Sequence, residues 1–276
     1  VGETASGKTR LAIDIAKALN GEIINADSWA VRKNLNIGTA KPTLEEQEEV
    51  AHHLIDIVEP GEDFNAMKFK ELANKAIEDI YGRGRLPIIV GGTGLYVDSL
   101  IYDYKFLPNK VEVDRKAYES KTVEELLDIV KSKKLDFKGI DLRNKRRLIR
   151  LIETDGVKPI RSAMRENTIL VGIRWPSDLL KKRIEQRVDQ MLEAGLESEV
   201  KELSKHFEWD DEMLKGVGYK QWQLYFEGGQ SLEETRSQIV SATVGLAKKQ
   251  RTWFKRNNSI HWFEPSVNLK DVVELI

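Results

Sequence analysis

The first nine residues have the types and the spacing that could bind a phosphate group. Gly2, Gly7, Lys8 and Thr9 fit the pattern G-x-x-x-x-G-K-[ST] of a phosphate-binding loop. The glycines let successive backbone N–H groups point into one concavity, Lys8 supplies a positive charge, and Thr9 supplies a hydroxyl group for Mg²⁺. The alternative is a glycine turn that happens to carry a lysine. Apolar residues at helical spacing follow directly, which favours the phosphate-binding loop because that motif requires a helix there.

Short apolar segments predict the sheet that would hold this loop. Residues 22–26, 86–90 and 168–173 are apolar runs, and an amphipathic helical pattern over 66–81 lies between two of them. Such alternation predicts an α/β fold with a parallel sheet, right-handed crossovers and flanking helices. Only Val1 precedes the loop where a further strand is needed, so we expect the natural chain to begin earlier.

Polar residues follow two of these strands at their C-terminal ends, where open α/β sheets bind ligands. Asp27 and Ser28 follow the first strand, and Thr93 lies in the small-residue segment Gly91–Gly94 after another. A helix or turn cap is the commoner role of an Asp-Ser pair. Asp27 and Thr93 are therefore candidates for chemistry beside the phosphate-binding loop.

Composition describes a soluble globular protein and excludes several classes. The 276 residues are 41% hydrophobic and 32% charged, enough for one large domain or two. We find no apolar run of membrane length and no signal peptide, and we expect a cytoplasmic protein without membrane contact. The lack of cysteine excludes disulfides, a thiolate zinc site and a cysteine nucleophile. His52 and His53 could bind a metal, but a structural role is favoured because no third histidine lies near.

The region between residues 105 and 159 differs from the rest of the chain. It shows helical periodicity, many charges and no strand pattern. We therefore predict an α-helical insertion over 105–159 within an α/β core formed by residues 1–104 and 160–276.

Two basic clusters lie at residues 143–150 and 248–256, although the net charge is −1. Each holds five Lys or Arg residues. The first places four arginines on one helix face, which suits phosphate contacts, whereas a charge run is more commonly a solvated face. These four are Arg143, Arg146, Arg147 and Arg150. In the second cluster aromatic residues lie among the basic ones, which suits RNA binding or, equally, core aromatics beside a solvated basic face.

Five stretches of the chain together resemble the tRNA dimethylallyltransferase family, also called tRNA isopentenyltransferases. A phosphate-binding loop alone is shared by many nucleotide enzymes, whereas this combination is specific and spans nearly the whole chain. The stretches are Gly2–Thr9, Asp27-Ser28 with Ile37–Pro42, His52–Asp56, Gly91–Tyr96 and Lys248–Phe254, supported by Arg146–Arg150 and Arg183–Met191. The chain departs from the family pattern at Trp29-Ala30-Val31-Arg32, where the family usually has Met-Gln-Val-Tyr.

The resemblance, which is to the bacterial type, implies a P-loop NTPase-like fold and a prenyl transfer. It implies that the dimethylallyl group of dimethylallyl diphosphate is transferred to the N6 amine of the adenosine 3′-adjacent to the tRNA anticodon. It further implies that the loop binds this diphosphate in place of ATP, that Mg²⁺ is the cofactor and that the anticodon stem-loop is the partner. We expect a monomer.

The resemblance also assigns roles by position. Asp27 would accept a proton or hydrogen bond from the adenine amine, Thr93 would contact the bridging or leaving oxygen, and Arg187 would neutralise the departing diphosphate. From the residues alone, Arg187 is equally explained by snorkelling or a salt bridge. The diphosphate-binding residues would be Gly2, Thr4, Ala5, Ser6, Gly7, Lys8 and Thr9, with Thr9 on Mg²⁺. The tRNA-binding residues would be Asp27, Ser28, Trp29, Ala30, Thr93, Arg115, Arg146, Arg147, Arg150, Lys248 and Arg251.

Three alternative functions fit parts of the sequence. An ATP-dependent small-molecule kinase would use the same loop but gives no role to the basic clusters. An adenylate isopentenyltransferase acts on a free nucleotide and would not need the helical insertion. A non-catalytic RNA-binding P-loop protein leaves Asp27 and Thr93 without a purpose.

Overall fold

Short parallel strands form the centre of the larger of two units. The structure, a computed structural model, describes residues 1–107 and 114–276. The strands are β1 (Gly21–Asn25), β2 (His52–His53), β3 (Leu86–Val90), β4 (Leu170–Ile173) and β5 (Ile260–Phe263). β1 lies between β2 and β3, β4 pairs with β5, and all pairs are parallel. The strands predicted at 22–26, 86–90 and 168–173 are confirmed to within two residues.

Helices alternate with these strands and flank them. They are α1 (Lys8–Ala18), α2 (Leu44–Glu49), α3 (Ala66–Gly82), α4 (Gly94–Ile101), α5 (Arg115–Ser120), α6 (Val123–Ser132), α7 (Lys145–Glu153), α8 (Ser177–Glu193), α9 (Leu196–Leu203), α10 (Gln223–Phe226), α11 (Leu232–Phe254) and α12 (Leu269–Val273). The Thr43 hydroxyl and the Glu46 carboxylate form a capping box at the N-terminus of α2. Across residues 1–107 and 114–276, no helix combines the length and apolar character that a membrane span requires.

The larger unit, Val1–Ile101 with Arg165–Ile276, contains two apolar clusters. Helix α1 packs against the sheet, where Ile13 and Ile23 are almost completely buried. A second cluster joins α8, α9 and α11 to the turn before α10, and its largest buried side chains are Tyr219 and Trp222. The first cluster fixes the helix that follows the phosphate-binding loop, and the second fixes the helices on the other side of that loop.

The smaller unit, Tyr102–Met164, contains α5, α6 and α7, and it includes most of the insertion predicted over 105–159. Residues 108–113 of that insertion lie outside the described residues. Its core is formed by apolar residues of α6 and α7, namely Leu126, Val130, Leu148, Ile149 and Ile152. One expectation is wrong: α7 begins at Lys145 with Asn144 as its N-cap, so Arg143 precedes the helix and does not share its arginine face.

A buried carboxylate joins β1 and β2 to the end of α3. Glu22 is 1% exposed and accepts hydrogen bonds from Arg83 Nη2 at 2.9 Å, Arg85 Nη1 at 2.7 Å and, in a hydrogen bond of 2.6 Å, His53 Nε2. These partners, Arg83 first, lower the pKa of Glu22 to about 2. His53 thus has a partner within the fold. The charged form of Glu22 is therefore favoured in the folded state at every pH above its unfolded pKa.

We expect Glu22→Gln to destabilise the protein at neutral pH. The shift from 4.5 to about 2 corresponds to about 3 kcal/mol, which solvent around the half-exposed guanidinium groups reduces to about 2 kcal/mol. Because a lowered carboxylate pKa stabilises only above the unfolded value, this difference should shrink as pH falls from about 4.5 towards 2. Urea unfolding at several pH values measures it. Glu71→Gln, in an exposed pair with Lys75, is the control and should change little; equal stability of Glu22→Gln and wild type at pH 7 would contradict the prediction.

Candidate active site

A cleft of about 380 Å³ lies where the C-terminal ends of β1 and β3 meet the N-terminus of α1. This is the edge of a parallel sheet at which α/β proteins bind ligands. The phosphate-binding loop, the strand ends, the segment after β1 and helix α8 all contribute to its walls. Its lining includes Thr4, Ala5, Ser6, Gly7, Lys8, Thr9, Asn25, Asp27, Ala30, Thr39, Ala40, Glu46, His52, Gly91, Arg183 and Arg187.

The phosphate-binding loop has the backbone geometry that its sequence predicts. Ala5 has φ +60° and Gly7 has φ +91°, both in the left-handed region that turns a chain sharply. Gly7 is the N-cap of α1 and offers no side chain to cap the first N–H groups, which leaves them for an anion. Gly2 is the exception among the predicted diphosphate residues, because it pairs with Ile173 of β4 and does not line the cleft.

Side chains from outside the loop bind its carbonyl groups. Arg183 Nε donates to the Ala5 carbonyl at 2.9 Å, and Trp175 Nε1 donates to the Ser6 carbonyl at 2.9 Å. Arg183 also lies over the Trp175 ring, 4.4 Å from its centroid. These hydrogen bonds fix the backbone of the loop at Ala5 and Ser6.

The C-terminal end of α11 holds the start of the same loop. Gln250 Oε1 accepts from the Thr4 N–H at 2.7 Å, and its Nε2 donates to the Gly92 carbonyl at 3.1 Å, so one side chain links the loop to the end of β3. Arg251 forms an ion pair with Glu3 and donates to the Trp175 carbonyl at 2.8 Å. The N–H groups of Arg251 are thus engaged inside the protein, which differs from the tRNA contact expected from sequence.

The aromatic residues of this segment are also internal. Trp253 Nε1 donates to Asp98 Oδ2 at 3.0 Å, and a Cβ at Gly94 would lie 2.3 Å from the Trp253 ring. Phe254 is 2% exposed. Of the two interpretations of residues 248–256, the structure supports core aromatics, with Lys248 exposed on the helix surface.

Two cationic side chains, Lys8 and Arg187, face one carboxylate in the cleft. Burial, with a further contribution from the charge of Arg187, lowers the pKa of Lys8 to about 8, while Asp27 and Glu3 oppose the shift. Burial also lowers the pKa of Arg187, again opposed by Asp27, although a guanidinium stays protonated. Concentrated positive charge with so little water around it favours a ligand of high negative charge.

Asp27 lies at the cleft end of β1 with one carboxylate oxygen already used. Oδ1 accepts from the Trp29 N–H at 2.8 Å and the Ala30 N–H at 3.4 Å, which is the turn-capping role considered from sequence. In the described residues Oδ2 forms no hydrogen bond. The turn-cap interpretation is confirmed, and the cap fixes the side chain while leaving the second oxygen available to a ligand.

Thr93 and Ser28 bind each other rather than the cleft. The Ser28 N–H donates to Thr93 Oγ1 at 3.0 Å, and the two hydroxyl oxygens are 3.2 Å apart. Thr93 does not line the cleft, and its hydroxyl connects the segment after β3 to the segment after β1. The structure thus brings Asp27, Ser28 and Thr93 together without placing Thr93 against the loop.

The departure from the family pattern after Ser28 has a structural explanation. Trp29 stacks on Tyr219 with ring centroids 6.5 Å apart, and Ala30 is 3% exposed at the cleft wall. Arg32 is also buried and pairs with Glu212 at 3.5 Å. The segment is therefore part of the packed wall, and Trp29 faces the protein rather than a partner.

Helix α8 supplies a polar stripe of which only Arg187 is predicted as a site residue. Four side chains line the cleft at spacing i, i+3, i+4 and i+7, while Ile184 and Val188 of the same helix lie in the core. The stripe consists of Arg183, Gln186, Arg187 and Gln190. The signal in the sequence is this second periodicity, polar residues in register beside the apolar stripe.

The predicted basic residues of the smaller unit divide into two groups. Arg115 Nη1 and Arg150 Nη1 bind the buried carboxylate of Glu153 at 2.8 and 3.2 Å, so both support that unit's core. Arg146 and Arg147 are exposed on α7, and neither forms an ion pair within the described residues. Arg146 and Arg147 therefore remain the pair with guanidinium groups directed to solvent.

We predict that Arg251→Gln lowers the free energy of unfolding by about 3 kcal/mol. The change leaves the Glu3 carboxylate, 3% exposed, buried without its cation, and such breaks cost about 3–5 kcal/mol. Urea unfolding measures it. Lys248→Gln removes the same charge from an exposed position three residues earlier and should not alter stability; if both variants unfold like wild type, Arg251 is not an anchor of the loop.

Comparison with known proteins identifies the family. Residues 30–257 match the family model described as IPP transferase. The tRNA dimethylallyltransferase of Anoxybacillus flavithermus is 42% identical over 276 residues, covering 96% of this chain and 88% of that protein. The full-length tRNA isopentenylpyrophosphate transferase of Bacillus halodurans has a TM-score of 0.77 and 37% identity, covering 100% of this chain and 92% of that one. A eukaryotic dimethylallyltransferase acting on tRNA has a TM-score of 0.75 and 27% identity, covering 96% and 72%.

These matches confirm the resemblance and the P-loop NTPase-like fold, a parallel sheet flanked by helices. The match to the Bacillus halodurans structure covers the whole chain and so includes both the phosphate-binding loop and helix α11, whereas the family model begins at residue 30, after that loop. The chain therefore belongs to the IPP transferase family, the family of the tRNA dimethylallyltransferases.

Proposed function

We propose that this protein transfers the dimethylallyl group of dimethylallyl diphosphate to the N6 amine of the adenosine 3′-adjacent to the anticodon of tRNA. The main support for the proposal is the set of residues that line the cleft. The phosphate-binding loop, Lys8 and Arg187 lie on the same cleft as a carboxylate whose second oxygen is free, Asp27. A site for a leaving diphosphate and a site for an amine proton thus adjoin each other.

Positive groups in the cleft would stabilise the diphosphate as it leaves. The bond between C1 of the dimethylallyl group and its oxygen breaks, and the electron pair leaves with the diphosphate. Charge then grows on oxygens facing the loop N–H groups, Lys8 and Arg187. Donors already oriented in a site with little water stabilise such charge most effectively.

Asp27 would orient the attacking adenine amine and accept its proton. The N6 amine of adenine is weakly nucleophilic, so it must be oriented against C1 and must lose a proton as the C–N bond forms. Asp27 Oδ2 accepts that hydrogen bond and then the proton, while Oδ1 stays on the turn it caps. The target base must first leave its stack to enter the cleft.

Mg²⁺ fits the donors present in the cleft. The Thr9 hydroxyl lies on the cleft, and Mg²⁺ binds through one or two oxygen ligands of a protein together with substrate phosphates. We propose that Thr9 holds the ion. Its contribution when bound is to neutralise charge on the diphosphate.

The tRNA partner is assigned to the smaller unit through Arg146 and Arg147. Both side chains are exposed on one helix and both suit phosphate oxygens. An anticodon stem-loop presents such phosphates on both sides of its loop. The relatives of this chain that act on tRNA support this part of the proposal.

Parallel incubations with labelled substrates test the function. The protein is mixed with labelled dimethylallyl diphosphate or labelled ATP, each with unmodified tRNA or with AMP. We expect label from dimethylallyl diphosphate in tRNA alone. Phosphate transfer from ATP would support a kinase instead, and prenylation of AMP would support the adenylate enzyme.

Asp27→Asn should lower the single-turnover transfer rate by roughly 10²–10⁴-fold, the usual contribution of a positioned acid or base. Asparagine keeps the Oδ1 cap but removes the charge, so stability and binding of both substrates should change little. Asp27→Ala is the matched control. Its transfer rate should fall as much as that of Asp27→Asn, and its stability should also fall because the cap is lost. A near wild-type rate for Asp27→Asn would reduce Asp27 to a turn cap.

Reversing Arg146 and Arg147 together to Glu should weaken tRNA binding strongly while leaving dimethylallyl diphosphate binding intact. Each lost phosphate contact also lowers the dependence of affinity on salt, by about one unit of the log–log slope. Filter binding at several salt concentrations measures both effects. The double change Lys181→Glu with Lys201→Glu reverses equal charge at exposed positions of the larger unit; the same loss in that variant would point to general repulsion instead.

A further inference from the structure

Glu199 of α9 binds a cleft-wall segment through an unusually complete set of hydrogen bonds. Its Oε2 accepts from the N–H groups of Asn36 at 3.0 Å and Ile37 at 2.8 Å. Its Oε1 accepts from the Gly38 N–H at 3.0 Å and from the Tyr219 hydroxyl at 2.8 Å. Both oxygens of one carboxylate are thus occupied by donors, three of them from consecutive backbone amides.

Tyr219 belongs to the turn Gly216–Tyr219, a motif that the reaction itself does not use. Tyr219 is 0% exposed, and a Cβ at Gly38 would lie 2.5 Å from its ring, so only glycine fits there. On another side the Tyr219 ring stacks on Trp29, two residues after Asp27. One buried side chain therefore contacts both segments that follow β1 along the cleft.

The segment that Glu199 holds carries an acceptor for Arg187. Thr39 and Ala40 line the cleft, and Arg187 Nη2 donates to the Ala40 carbonyl at 3.4 Å. Ala40 has φ +48°, a left-handed conformation that residues with a side chain rarely adopt. Such a conformation persists only where its surroundings fix it, and the hydrogen bonds at residues 36–38 lie directly before it.

We propose that Glu199 and Tyr219 are positioning residues for the transfer reaction: they hold the segment Asn36–Ala40 so that its carbonyl orients Arg187 towards the departing diphosphate. This inference rests on the proposed function. Neither residue lines the cleft, and both act through Arg187. A misplacement of about 1 Å at such a group can cost on the order of 10²-fold in rate.

Glu199→Gln tests this role. Glutamine has the same shape, but its NH₂ group faces donors, so at least one N–H or O–H loses its acceptor. We expect the single-turnover rate to fall by about 10–100-fold, with binding of dimethylallyl diphosphate nearly unchanged. In an Arg187→Ala background, Glu199→Gln should lower the rate by less than about twofold, because residues that act through one another are not additive.

Two further variants provide a control and a second test. Glu197→Gln changes the same helix, where Glu197 Oε1 accepts from the Tyr225 hydroxyl at 3.1 Å, away from the segment, and should transfer like wild type. Tyr219→Phe keeps the ring and removes one hydrogen bond, so we expect a loss of only a few-fold. If Glu199→Gln does not fold, Tyr219→Phe and its cycle with Arg187→Ala replace it.

Hydrogen exchange reports on the segment without depending on activity. The amides of residues 36–38 should exchange faster in Glu199→Gln than in wild type or Glu197→Gln. Equal exchange, equal rates for the two Glu variants, or an additive effect in the Arg187→Ala background would overturn the inference while wild-type transfer upholds the function. Failure of wild type and Glu197→Gln to transfer would overturn both.

Discussion

The phosphate-binding loop keeps its backbone conformation because side chains from distant parts of the chain bind its carbonyl and N–H groups. Here the carbonyls of Ala5 and Ser6 are bound by Arg183 and Trp175, which lie about 170 to 180 residues further along the chain. Gln250 binds the Thr4 N–H from the opposite terminus of the larger unit. The phosphate-binding loop is local in sequence, but its shape depends on contacts with residues far along the chain.

The helix that anchors the loop also supplies positive charge to the cleft. Arg183 binds the loop carbonyl and lies 4 residues before Arg187, so both guanidinium groups reach the cleft from one helix face. With Lys8 they concentrate positive charge that Asp27 and Glu46 oppose only in part. Since burial disfavours each cation alone, an anion with several oxygens relieves this cost for all of them. The capacity of the cleft to attract such an anion therefore depends on the helix that also anchors the loop.

The features that could be predicted from sequence are those that a pattern of neighbouring residues determines. The loop, the three strands and the capping box of α2 depend on spacing within a few residues, and the structure has them. The resemblance assigns Arg251, Arg115 and Arg150 to tRNA contacts, and no local pattern in the sequence identifies their partners, Glu3 and Glu153, as buried. A basic residue on a helix face looks the same in sequence whether it meets solvent or a carboxylate 248 residues away.

The structure also explains why the departure at Trp29–Arg32 leaves the Asp27 side chain in place. Asp27 is held by the backbone N–H groups of Trp29 and Ala30, and a backbone donor does not depend on which side chain follows. The side chain of Trp29 takes no part in this hydrogen bond, and it packs against Tyr219. The backbone donors that hold Asp27 therefore do not depend on the side chains of residues 29 and 30, although Ala30 and Arg32 are themselves buried in the wall. At Gly38 the constraint is the missing side chain, because the Tyr219 ring fills the space of its Cβ. Both constraints act on the backbone that forms the cleft wall.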